Sequence, residues 1–142
     1  MRIVLLPVKP RFAQALMDGS KKVEYRKAPF PDHVTNVVVY ASSPSQRILG
    51  YFGVHEIVRD SPDRIWRKYG GFGCISRQEY AAYYDGVAKA VALVVGTVWT
   101  LPKPLPLSSL GMGHRAPQSY AYLNAAEFET IRCNRHHAAQ PF

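Results

Sequence analysis

Cysteine is scarce in this chain: Cys74 and Cys133 are the only two in 142 residues. Two thiols cannot build a disulfide scaffold, so the fold must rest on its core, and free thiols are expected. Long apolar runs are missing too. No stretch approaches the ~20 apolar residues that a membrane helix needs. The opening Met1-Arg2-Ile3-Val4-Leu5-Leu6-Pro7 is too short an apolar run for a secretory signal. A cytoplasmic protein with no membrane span is the expectation. Acidic side chains are also few, 10 against 18 Lys and Arg, for a formal net charge of +8 and a pI near 9.7. That imbalance asks for an anionic partner, RNA or another nucleic acid first, with an acidic membrane surface or an acidic protein as lesser options.

What is present suffices for one core. An apolar share of 47% is ordinary for a globular domain of this length. Ile3 to Val8 reads as a buried first strand. Pro10 opens a short helix with Phe12, Ala15 and Leu16 on one face, and Gly19 closes it. A basic strand runs from about Lys22 to Lys27, with Val23 and Tyr25 on one face and Lys22, Glu24 and Arg26 on the other. Val34 to Ala41 and Arg47 to Val58 are strands joined by the Ser42-Ser43-Pro44-Ser45 turn, and Gly50 and Gly53 mark a bulge or a close backbone approach in the second. Ser61-Pro62 opens a helix carrying Ile65, Trp66 and Tyr69. Ser76 with Glu79 is a capping box for a helix carrying Tyr80, Tyr83 and Tyr84, and Gly70 to Gly73 is a flexible link between the two.

Lys89 to Leu101 is the clearest strand and the expected centre of the sheet, with Val91, Leu93 and Val95 on one face and Val94 and Val98 on the other. Pro102, Pro104 and Pro106 make an extended connection. A last edge strand spans Pro117 to Leu123, a short helix Asn124 to Ile131, and Arg132 to Phe142 is a loose basic tail. This gives one domain over 1–124, then a C-terminal helix and tail over 125–142. The order β-α-β-β-β-αα-β-β is neither a Rossmann alternation nor a sandwich. It suits an α+β fold, a small curved sheet or barrel flanked by short helices.

The chemistry concentrates in Asp18-Gly19-Ser20-Lys21-Lys22-Val23-Glu24-Tyr25-Arg26-Lys27. Lys21, Lys22, Arg26 and Lys27, with Arg11 upstream, outnumber Glu24 and Asp18, as an anion site requires. The like charges of Lys22 and Arg26 are expected to depress the pKa of Lys21, and a lysine so tuned can act as base or nucleophile with Glu24 orienting it. In a regular strand positions 21 and 24 face opposite ways, so the pair requires Lys21 to sit in the turn before the strand. The same residues equally suit a structural Glu24–Arg26 ion pair with solvated lysines. Tyr40 is the candidate for stacking on a base, whereas Tyr25 shares the Val23 face and is expected to be buried. Cys133-x-x-His136-His137 is half a zinc site without a second half. Gly111-Met112-Gly113 lacks the strand-turn-helix setting of a phosphate loop. No metal and no cofactor is expected.

Lys9-Pro10 before a short helix, then Gly19-x-Lys21-x-x-Glu24-x-Arg26, resemble the signature of ASCH domains in the PUA-like superfamily. Tyr40-Ala41-Ser42, Gly50-Tyr51-Phe52, Trp66, the Ser76 to Tyr84 helix and Pro117-Gln118-Ser119-Tyr120 follow in the family's order, so the resemblance spans about Ile3 to Leu123. It implies a PUA-like β-barrel, a mixed and mostly antiparallel curved sheet, with a cleft lined by the motif. It implies RNA binding, of single strands or a nucleotide, by Lys9, Arg11, Lys21, Lys22, Glu24, Arg26, Tyr40, Ser42, Gln118 and Ser119. Among similar small members one type hydrolyses the amide of acetylated cytidine and another cleaves RNA; in either, Lys21 and Glu24 would be the catalytic pair. The amidohydrolase type carries threonine where this chain has Glu24. A regulatory RNA-binding module is the leading expectation, and a hydrolase using the same cleft the alternative.

Overall fold

The computed structural model describes residues 1–111 and 116–139, without the side chains of 136–139. Six strands form one mixed sheet: β1 (Ile3–Val8), β2 (Val23–Lys27), β3 (Asn36–Ala41), β4 (Arg47–Asp60), β5 (Ala90–Leu105) and β6 (Ala121–Leu123). The spatial order is β2-β5-β4-β3-β1-β6. Only β1 and β3 run parallel; every other pair is antiparallel. The sheet curls into a half-barrel, so that Arg26 on edge strand β2 donates to the Pro7 carbonyl of β1, although three strands lie between them in the sheet order. Four helices flank it: α1 (Pro10–Asp18), α2 (Pro62–Tyr69), α3 (Arg77–Tyr83) and α4 (Ala125–Ala139). This is the curved sheet with short helices that the element order implies.

The local signals act where expected. Pro10 sits in the first turn of α1, and Gly19 ends it at φ 86°, a left-handed conformation that glycine adopts without cost. Ser61 and Ser76 cap α2 and α3 by accepting from Arg64 N and Glu79 N. The β4–β5 register breaks between Ile48 and Gly50 and between Phe52 and Val54, at the two predicted glycines, and once more between Val54 and Glu56.

Three readings are corrected, the first two by those bulges and the third by the strand order. Val98 packs with Val91, Leu93 and Val95, not with Val94, because an extra β5 residue between Val95 and Val98 reverses the alternation. Strand β5 continues through Pro102 and Pro104 to Leu105: the residues between Thr100 and Leu105 are spooled out opposite a single residue of β4, where a missing N–H costs no ladder bond. And β5, though paired on both sides, is second from an edge; β4 and β3 hold the middle.

The C-terminal helix also differs from expectation. Asn124 Oδ1 accepts from Glu127 N at 2.7 Å while Glu127 Oε1 accepts from Asn124 N at 2.8 Å, a reciprocal cap. The helix then runs to Ala139 rather than stopping at Ile131, since no glycine or proline interrupts it and the Arg132–Glu129 pair at 2.8 Å supports it. Its Phe128 and Ile131 are buried beside Tyr51 and Leu101. The Cys133-x-x-His136-His137 pattern, Met112–Gly113 and the end of the basic tail lie wholly or partly outside the described residues. Among the described residues no helix is long and apolar enough to cross a membrane.

The core has three parts. One lies between α1 and the sheet and includes Val4, Leu6, Leu16, Val37, Phe52 and Leu93. A second lies under α4. The third gathers Tyr25, Tyr69, Tyr80 and Tyr84 around Val23 and Ile65 behind β2.

Candidate nucleic-acid cleft

The turn after α1 decides the site. Asp18 accepts from the backbone and hydroxyl of Ser20 at 2.8 and 2.6 Å, closing the turn and keeping that carboxylate out of the cleft. Strand β2 starts only at Val23, so Lys21 lies in the turn and is free of strand alternation. Lys21 and Glu24 therefore converge, as their pairing requires: Nζ is 3.5 Å from Oε1. Glu24 also faces Arg26, with Nε 3.2 Å from Oε2. That approach is ionic but misaligned for a hydrogen bond, so the Arg26 Nε proton is buried without an acceptor.

Lys21 is 2% exposed and Glu24 6%, the two buried charged residues among the described ones. A buried ammonium needs partners. Lys21 Nζ donates to the Gly73 carbonyl at 2.6 Å and stands 4.8 and 5.0 Å from the rings of Phe12 and Tyr25. Burial is the main force holding its pKa below the usual lysine range; Glu24 pulls the other way, and Arg26 adds a smaller push downward. Lys22 plays no part in that shift, which corrects the expectation of a neighbouring like charge. Its side chain turns to solvent and donates to Gly19 O at 3.2 Å.

These groups form one wall of a cavity of about 450 Å³, completed by Pro7, Val8, Lys9 and Phe12 at the β1–α1 junction and by Ile75, Glu79, Ala82 and Tyr83 around α3. The volume falls in the range of small-ligand sites. Lys9 is exposed at the mouth. Arg11, also exposed, is already paired with Glu79, so α1 and α3 are bridged across the cleft. Ser42 lies nearby, its Oγ 3.3 Å and its N 2.9 Å from the Val8 carbonyl.

Other predicted residues fall elsewhere. Tyr40 is 5% exposed and packs in the second core cluster with Leu5, Ile48 and Leu107, so it presents no ring for stacking. The strand alternation that turns Val39 to the first cluster turns Tyr40 to the other face. Gln118 and Ser119 are exposed in the bend before β6. The antiparallel pairing of Leu5 with Ala121 directs that bend along the free edge of β1, toward Pro7.

Tyrosines hold the floor rigid. Tyr84 OH donates to Arg26 O at 2.8 Å and Tyr25 OH to Tyr69 O at 2.9 Å. Burial pushes the hydroxyl pKa of both upward, and that of Tyr80 to about 12, so none ionises near neutrality. The chief residue that the sequence concealed is Gly73, read as part of a flexible link. Gly70–Phe72 is a 3-10 turn, and a Cβ at Gly73 would lie 2.2 Å from the Tyr25 ring. Nothing in the local pattern marks a carbonyl that serves a lysine 52 positions away.

Comparison with known proteins gives a consistent picture. No family model matches the chain. It is 34% identical over 122 residues to large ribosomal subunit protein uL22 of Ureaplasma parvum, a match that takes in 84% of this chain but 39% of that protein. It is 29% identical over 126 residues to an ASCH domain-containing ribonuclease of Zymomonas mobilis, across 86% of this chain and 84% of the relative. The crystal structure of ASCH from Zymomonas mobilis superposes with a TM-score of 0.81 at 26% identity, over 92% of this chain and 93% of that one. With the motif, the curled sheet and these alignments in agreement, the chain belongs to the ASCH-domain proteins of PUA-like fold.

Proposed function

We propose that this protein is a ribonuclease acting on single-stranded RNA in the Lys21–Glu24–Arg26 cleft. The carrying observation is a lysine buried at 2% exposure, its pKa lowered by that burial, opposite a carboxylate on the wall of a concave basic cleft. The similar Zymomonas mobilis ribonuclease supports hydrolysis over binding alone. A cavity of about 450 Å³ admits one splayed nucleotide, not a duplex whose bases stay stacked.

The residues divide the work by chemistry. Arg26, permanently charged, and Lys9 meet the phosphate. Lys21, in its neutral fraction, takes the proton of the ribose 2′-hydroxyl, and Glu24 holds that lysine in place. The 2′-oxygen bonds to phosphorus, the bond from phosphorus to the 5′-oxygen breaks, and solvent protonates the leaving oxygen. A 2′,3′-cyclic phosphate results. Because the Lys21 pKa lies below that of a free lysine, the rate rises with pH as Lys21 loses its proton.

The test uses a labelled single-stranded RNA and Lys21→Arg. The variant keeps the charge but stays protonated, so RNA retention on a filter is expected to persist while cleavage falls at least a hundredfold. Cleavage at the wild-type rate by Lys21→Arg refutes the assignment of the base. Wild-type protein that retains RNA without shortening it leaves the regulatory binding module as the function. A second reading, amide hydrolysis of an N-acylated cytidine, draws on the nucleoside-sized cavity; release of free carboxylate from that nucleoside, with RNA left intact, would select it.

A further inference from the structure

Apart from Met1, two large apolar side chains stand exposed among the described residues: Tyr122 at 54% and Phe72 at 52%. Tyr122 is engaged on its own surface, with Arg2 5.7 Å over its ring and Tyr120 against it at 5.6 Å. Phe72 has no such partner, and its backbone is fixed. Its carbonyl accepts from Lys22 N at 2.8 Å, and the next carbonyl, that of Gly73, accepts from Lys21 Nζ. Three residues on, Ile75 lines the cleft, so the backbone at Phe72 lies within ~11 Å of the backbone of that wall by chain length alone.

Cationic residues neighbour Phe72 along the backbone, Lys22 through its N–H on the Phe72 carbonyl and Lys68 four positions upstream. Lys22 is exposed, and Arg67 and Lys68 close the last turn of α2 immediately before the Gly70–Phe72 turn. Lys68 lies over Tyr69 at 5.3 Å, and no carboxylate pairs with Lys22 or Lys68 among the described ion pairs. An exposed aromatic face with unneutralised ammonium groups on a fixed backbone is how proteins hold single strands: the base stacks and the phosphate is met by charge.

Resting on the ribonuclease reading for the position of the first nucleotide, we propose that Phe72, Lys22 and Lys68 form a second nucleotide subsite, where the base next to the one in the cleft stacks on Phe72 and its phosphate meets the two lysines. The subsite makes the protein prefer oligomers over mononucleotides and tolerate any base, since every base has a stacking face.

The probes are fluorescein-labelled 2′-O-methyl hexauridylate, which cannot be cleaved through the 2′-oxygen, and uridine 3′-monophosphate. Phe72→Ala is expected to weaken hexamer binding about tenfold and leave the mononucleotide unchanged, with Phe72→Trp restoring the hexamer. Lys22→Ala with Lys68→Ala removes that one phosphate contact and lowers the salt slope for the hexamer by about 0.7. Hexamer binding by Phe72→Ala equal to wild type overturns the subsite. So does a loss that falls equally on the mononucleotide, which marks a disturbed cleft. Cleavage of unmodified hexauridylate is measured in parallel. A Phe72-dependent hexamer affinity without cleavage keeps the subsite and removes the ribonuclease reading, while cleavage with a KM indifferent to Phe72 does the reverse.

Discussion

The apolar cluster between α1 and the sheet and the tyrosine cluster behind β2 are assembled by different rules. In the first, Val4, Leu6, Val37, Val39 and Leu93 are almost wholly buried and carry no polar side-chain atom. Each is placed by the alternation of its own strand, and the stabilising force is removal from water. In the second, Tyr25, Tyr80 and Tyr84 each bury a ring and then spend the hydroxyl on a backbone carbonyl, with partners 44, 18 and 58 residues away. Beside them lie Lys21, Glu24 and Arg26, whose charges are tolerated only as a set. One region tolerates any change that keeps volume and polarity; the other fails when a single partner is lost. The functional cleft is built against the second.

The sharpest way to break that contrast is Glu24→Ala. Removing the carboxylate leaves the buried Lys21 ammonium and the half-buried Arg26 guanidinium facing each other without a counter-charge, and the expected loss is about 3–5 kcal/mol by denaturant unfolding. Glu24→Ala within about 1 kcal/mol of wild type would mean the charges are hydrated and the region is no different from a surface.

Leu93→Ala tests the other side. Leu93 is fully buried in β5, and truncation is expected to cost roughly 2–5 kcal/mol, while Leu93→Met costs under about 1.5 kcal/mol. Equal, large losses from both substitutions would show a demand for shape as strict as that around β2.

The smallest expected effect is a slope. The folded pKa of Lys21 is below its unfolded value because burial disfavours the ammonium. Between those two values the unfolded chain binds more protons, so stability rises with pH through that window. Lys21→Met removes the titration. The wild-type stability should therefore climb relative to the variant as pH rises from neutrality toward 10, and a constant difference would show that the lysine feels no desolvation.

The contrast also explains what the sequence discloses. Strands β1 and β2, helix α1 and the serine caps are set by neighbours within a few residues, and the turn position of Lys21 follows from where Gly19 ends the helix. Legibility fails where a distant contact decides. Val98 changes face because of bulges between β4 and β5. Pro102 and Pro104 lie within a strand because β4 has no residue for them to bond. Tyr40 is buried because the second cluster claims its face of β3. Burial, not adjacency to Lys22, lowers the pKa of Lys21, and local sequence carries no measure of burial at a polar position.

The Gly73 carbonyl has a consequence for portability. The segment from Gly19 to Arg26 carries every charged group of the cluster, yet the acceptor that steadies Lys21 arrives from 52 residues downstream. A peptide of that segment, or a graft of it onto another barrel, would present a freely solvated lysine of ordinary basicity. The chemistry of the motif is on loan from the turn at 70–73, and a search for the motif alone will find chains that spell the site without owning it.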